Sequence, residues 1–127
     1  MEPTFYPMAD EELARKYVLR PGYSEIEQNV AHGLISLGNV TLLDVRTKEE
    51  YDGGHIEGAL NCSSDLIYTN KSLPFDLDRE KPLLIYCRSG HRAQEVGHIL
   101  VGLGFKYVVN FGGVLTWKYG LIEEKST

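Results

Sequence analysis

An α/β domain in three layers, α/β/α, with a central and mainly parallel sheet of about five strands, is what this sequence predicts. Three observations predict it. Short apolar runs recur at VTLLDV (40–45), PLLIYC (82–87) and YVVN (107–110). Each is brief and predominantly apolar, so both faces are expected to be covered rather than one left in water. Between the runs the period changes: Ala93, Val96, Leu100 and Leu103 recur at helical spacing before Gly104. Strand and helix thus alternate, and in such sheets ligands bind beyond the C-terminal ends of the strands.

The elements follow in chain order. Residues 1–22 read as an N-terminal extension holding a helix and a first short strand, with Leu13, Tyr17 and Val18 at roughly helical spacing and Pro21-Gly22 as the stop. Residues 23–127 make the domain proper. In SEIEQNVAHGLISLG, Ser24 followed by Glu27 predicts a capping box. Ile26, Val30, Leu34 and Leu37 then line one helix face, and Gly38 ends it. VTLLDV is a buried strand. RTKEEYDGGHIEGAL reads as loop with one helical turn around Glu49, leading to a brief strand at Ala59 and Leu60. Residues 62–81 show no clean period and read as helix and loop. PLLIYC is the clearest strand, and Pro82 can start it without losing a ladder bond. After YVVN, FGGVLTWKYG predicts a tight glycine turn into a short terminal helix.

Bulk properties narrow the function. A chain of 127 residues is most simply one domain with a real core. A formal charge of -5 with no long basic tract argues against a nucleic-acid surface. No window approaches the roughly 20 apolar residues of a membrane span. The acidic start, broken by prolines, does not read as a secretory signal, so a cytoplasmic location is expected. Two cysteines make no disulfide framework, and four histidines without C-x-x-C give no metal-site spacing. No cofactor is implied.

The chemistry concentrates in YCRSGHRAQ, residues 86–94, where Arg88, His91 and Arg92 crowd within five positions of Cys87. If Cys87 ends a strand and a helix begins near His91 or Arg92, RSG must curl tightly between them, and Gly90 permits the turn. Inward-pointing amides, the helix start and the nearby cations would then favour a thiolate, the form in which cysteine is a nucleophile. A lone cysteine at a strand end is more often a small buried apolar group; the arginines reverse those odds.

Three stretches in this order and spacing, LLDVRTKEEYDGGHIEGALN (42–61), LLIYCRSGHRAQ (83–94) and VVNFGGVLTWKYG (108–120), resemble a rhodanese (sulfurtransferase) domain over about residues 24–120. The resemblance implies a parallel-sheet α/β fold with Cys87 as the catalytic cysteine. A donor such as thiosulfate or another persulfide would pass sulfane sulfur to it, and a thiophilic acceptor, cyanide or a thiol, a thioredoxin-like protein among them, would remove it. The related phosphatases and arsenate reductases resemble C-x5-R, whereas here Arg92 stands at +5 and Ala93 at +6. The shorter loop suits one added sulfur atom and disfavours phosphate or arsenate. In thiosulfate-specialised members a basic residue precedes the tyrosine matched by Tyr51, and another stands two places after the cysteine. Glu50 and Ser89 occupy those places here. The loop also lacks the C-G-S-G-x-T/S form of mercaptopyruvate enzymes. A non-catalytic binding module is the remaining alternative, opposed by the retention of Cys87 with its cations.

Roles follow residue by residue. Cys87 is expected to carry the persulfide, and Arg88 to meet an incoming anion. Ser89 offers a hydroxyl, Gly90 the turn, and His91 a charge tunable near neutral pH. Arg92 is expected to clamp the loop or to bond Asp44. Spacing of two puts Asp44 and Arg46 on one side of an extended chain; the resemblance makes them braces, with Glu50 and Tyr51 near the pocket edge. His55 reads as structural, Cys62 as buried or incidental, and Gly112-Gly113 with Trp117 as turn and cap, with the pocket wall a lesser role for the indole. The oligomeric state is not legible.

Overall fold

The structure, a computed structural model, describes residues 8–123, so the first seven residues of the extension lie outside the described residues. Five strands form one sheet: β1 (Gly22–Glu25), β2 (Thr41–Asp44), β3 (Leu60–Asn61), β4 (Leu83–Cys87) and β5 (Tyr107–Gly113). Their order is β1-β5-β4-β2-β3, and every pairing is parallel. The helices are α1 (Asp10–Lys16), α2 (Gln28–Leu37), α3 (Lys48–Asp52), α4 (Ser64–Asn70) and α5 (His91–Gly102), followed by a 3₁₀ turn at Val114–Thr116. Among the described residues no helix is long and apolar enough to cross a membrane.

The two-residue period of β4 builds both cores. Leu83, Ile85 and Cys87 face one cluster with Ile67 of α4 and with Ala93, Val96 and Leu100 of α5. Leu84 and Tyr86 face the other, with Ala31 of α2, Ile56, Val109 and Phe111. All five β4 residues are buried, which is why this run is unbroken in its apolar character.

Two local expectations are corrected. The capping box at Ser24 and Glu27 does not form, because Ser24 is already a β1 residue paired with Val109. Glu27 is itself the residue before α2 and makes no side-chain cap there. The capping box lies instead at Thr47 and Glu50, where the Thr47 hydroxyl accepts from the Glu50 amide and Glu50 reaches back to the Thr47 amide. The helical turn around Glu49 is therefore a true, if short, helix. At the other end, β5 runs on through Phe111, Gly112 and Gly113, three residues beyond YVVN.

Helix α1 lies against α2. A Cβ on Gly33 would come within 2.0 Å of the Asp10 carbonyl oxygen, so only glycine allows this approach. The Asp10 carboxylate then accepts from Tyr119 Oη at 2.8 Å and meets His32 Nδ1 at 2.8 Å, joining both helices to the C-terminal segment.

Candidate active site

Cys87 closes β4, and three residues later Gly90 stands at φ +107 immediately before α5. That backbone value is open to glycine and strained for other residues. The turn brings the Gly90 N–H to 3.0 Å from Cys87 Sγ. The sulfur thus sits against the N-terminal end of a twelve-residue helix, where free amides and the aligned peptide dipoles favour negative charge. Cys87 is only 1% exposed, at the bottom of its loop.

The wall behind the loop is β5. Asn110, buried, donates from Nδ2 to the Gly90 carbonyl at 3.0 Å and to Tyr23 Oη at 3.0 Å, and its Oδ1 accepts from the Gly112 amide at 2.9 Å. Gly113 pairs with Cys87, and a Cβ there would meet the Arg88 backbone at 2.2 Å. The backbones thus pass closely here, and the Leu115 amide bridges them by donating to the Arg88 carbonyl at 3.1 Å.

The cations are arranged differently from what their closeness to Cys87 in the sequence suggests. Arg92 folds neither onto the sulfur nor onto Asp44. It donates from Nη1 and Nη2 to the two Glu50 oxygens, at 2.7 and 3.0 Å. The reason is local: the Thr47 cap starts α3 so that Glu50 lies opposite the α5 N-terminus. A forked guanidinium matches a carboxylate better than a single sulfur atom. Arg88, Ser89 and His91 are exposed at the rim. The hydrogen bond that the sulfur accepts comes from backbone, and the Arg92 guanidinium bonds Glu50.

The Arg92 guanidinium holds the Glu50 carboxyl down at about 2, from an ordinary 4.5. A depressed carboxylate contributes stability that is complete above the unfolded value and lost as pH falls. The pair should therefore weaken between pH 4.5 and about 2. Glu50→Gln is expected to remove that part of the acid transition and leave stability at pH 7 lower by about 1 kcal/mol, the pair being partly solvated. Urea titrations at pH 7 and pH 3 check this.

Asp44 and Arg46 do pair, on the sheet face opposite Cys87. Arg46 Nη2 donates to Asp44 Oδ2 at 2.7 Å and to the Gly54 carbonyl at 2.6 Å, and the Arg46 amide donates to Asp44 Oδ1 at 2.8 Å. The pair ties the β2 end to the loop after α3. Tyr51 stacks on His55 and donates to the Ala59 carbonyl at 2.5 Å. His55 is buried, with Nδ1 2.8 Å from the Tyr51 carbonyl, and both of its backbone groups pair with Ile122. Cys62 is buried, and that burial pushes its thiol up. Trp117 packs on the second core and lines a different cavity, with His32 and Tyr119.

Three contributors escaped the sequence reading: Asn110, Tyr23 and Glu25. Asn110 carried one legible sign, a polar residue closing the apolar run YVV. Tyr23 and Glu25 sit in a strand placed only vaguely, and nothing local marks them.

A family model described as the rhodanese-like domain matches residues 27–119. The chain belongs to the rhodanese-like family. It is 36% identical over 99 residues to a thiosulfate sulfurtransferase GlpE of Coxiella burnetii, spanning 76% of this chain and 88% of that relative. With a sulfurtransferase of Allochromatium vinosum the identity is 31% over 96 residues, covering 74% and 87%. Among solved structures, a rhodanese-like domain protein from Staphylococcus aureus superposes with a TM-score of 0.65 at 26% identity, over 82% of this chain and 99% of that one. Sulfur transfer as a class of reaction comes with that membership and those relatives.

Proposed function

We propose that this rhodanese-like chain moves sulfane sulfur through Cys87, from thiosulfate or another persulfide to a thiol or cyanide. The observation that carries the reading is the Gly90 N–H at 3.0 Å from Cys87 Sγ, at the head of α5. The Cys87 thiolate attacks the outer sulfur of thiosulfate, the S–S bond of the donor breaks, and sulfite leaves with the electron pair. The product is Cys87–S–S⁻, whose charge again faces amide N–H groups and the helix dipole. In the second step an acceptor thiolate or cyanide attacks the terminal sulfur, and Cys87 departs as the thiolate. No net oxidation occurs and no cofactor is called for.

The loop geometry supports sulfur over phosphate. Six residues from Cys87 to Arg92 enclose the thiol, and the arginine that would grip a tetrahedral anion is committed to Glu50. Arg88, exposed at the rim, is proposed to meet the anionic donor. Arg88→Ala is expected to raise the KM for thiosulfate about three- to tenfold at low salt with kcat held, and to lose most of that effect above about 0.3 M salt. A fall in kcat at constant KM would contradict this placement.

The reading is tested by following thiocyanate formation from thiosulfate and cyanide, with an aryl phosphate assayed in parallel. Cys87-dependent thiocyanate is expected. Cys87-dependent phosphate release without thiocyanate would replace the reading with a hydrolase.

A further inference from the structure

We propose that Glu25 determines acceptor specificity at this site, selecting a thiol that bears an ammonium group over one that bears a carboxylate. The inference rests on the sulfur-transfer reading above and adds the chemistry of the acceptor to it.

A cavity of about 340 Å³ opens beside the active loop, and Glu25, Ser89, Gly90, His91, Gln94 and Asn110 are among its walls. Gly90 belongs both to this cavity and to the cradle of the sulfur, because its N–H is the donor to Cys87 Sγ. A molecule delivering a thiolate through the cavity therefore passes the Glu25 carboxylate. That carboxylate is exposed and is oriented by a hydrogen bond. Glu25 Oε2 accepts from Tyr23 Oη at 2.6 Å, and Tyr23 Oη accepts in turn from Asn110 Nδ2 at 3.0 Å. Burial, and next the bond to Glu25, push the Tyr23 phenol up to about 12, so it keeps the proton it donates.

Cations from the neighbouring elements do not cancel the charge. Among the described residues no arginine, lysine or histidine forms an ion pair with Glu25. Arg92, on α5, is spent on Glu50. Arg88 and His91 stand exposed on the loop side. The cavity thus carries a carboxylate on its β1 wall and His91 on its loop side, with Arg88 exposed on the same loop. An aminothiol places its ammonium against Glu25 while its sulfur approaches Cys87, and an amino-acid thiol can also turn its own carboxylate to Arg88 or His91. A thiol bearing only a carboxylate meets repulsion from Glu25.

Cysteamine and 3-mercaptopropionate carry opposite charges at a similar distance from sulfur, with 2-mercaptoethanol as the neutral reference. Their kcat/KM values as acceptors from thiosulfate-loaded protein would be measured at low ionic strength for the wild type and for Glu25→Gln, which keeps an oxygen for Tyr23. The ratio of cysteamine to 3-mercaptopropionate is expected to fall about fivefold in the variant, since a unit charge across roughly 8 Å of water is worth that order. Glu25→Lys should reverse the preference, so a folding defect in one variant leaves the other to decide. An equal ratio in wild type and variants overturns the proposal alone. Turnover with none of the three thiols, in wild type that still forms thiocyanate, overturns the proposal alone; loss of both thiol turnover and thiocyanate overturns it together with the sulfur-transfer reading.

Discussion

Cys87→Ser is expected to abolish sulfur transfer, lowering kcat by at least about a thousandfold. Serine keeps the volume and can accept the Gly90 N–H, so the loop has no reason to collapse. The chemistry fails because a hydroxyl stays protonated in this environment and forms no persulfide. The other cysteine offers no substitute: Cys62 is buried and its thiol is pushed up, whereas a nucleophile needs the thiolate. Thiocyanate formation and a melting curve, measured together, check this. Appreciable turnover in a well-folded serine variant would remove Cys87 from the reaction.

Arg46→Ala is expected to produce the largest loss of stability, about 3–5 kcal/mol. Asp44 is 0% exposed and Arg46 5%, so the guanidinium cannot be replaced by bulk water. Its removal leaves a buried carboxylate facing the Arg46 amide and the neutral Tyr86 hydroxyl but no counterion, and takes a donor from the Gly54 carbonyl. Breaking one side of such a pair costs more than the pair contributes, because the remaining charge has lost its counterion. In a domain of this size the melting temperature should fall by more than about 10 °C. Activity of the surviving folded fraction should change far less, since the pair faces the core opposite Cys87. A shift of under about 1 kcal/mol in urea would show that solvent reaches Asp44, contrary to its burial.

The division between what the sequence made legible and what it concealed has a physical pattern. Strand β4 was legible because it is buried on both faces, so nothing polar interrupts LLIYC. Helix α5 was legible because Ala93, Val96 and Leu100 all meet one core. The turn at Gly90 followed from strand, glycine and helix in immediate succession. Pairings between distant segments were not legible. Arg92 meets a residue 42 positions away, and it was the geometry of α3, not any spacing near Arg92, that chose Glu50 over Asp44. Local signals also compete: S-x-x-E and T-x-x-E both spell a capping box, and only strand pairing with β5 removes Ser24 from contention. Asn110 shows the same limit, because its partners Tyr23 and Gly90 lie 87 and 20 residues away. The course of one loop could be read from the letters; the charges that surround it depended on which loops the sheet order brings together.

That sheet order places Cys87 where backbone, rather than arginine, offers the positive end of a dipole to its sulfur. The most direct test of this view is the intact mass of the protein after incubation with thiosulfate and removal of excess donor. A gain of about 32 Da, one sulfur atom, is predicted, reversed by cyanide and missing in Cys87→Ser. An unchanged mass, in protein whose Cys87 also resists iodoacetamide at neutral pH, would contradict the account.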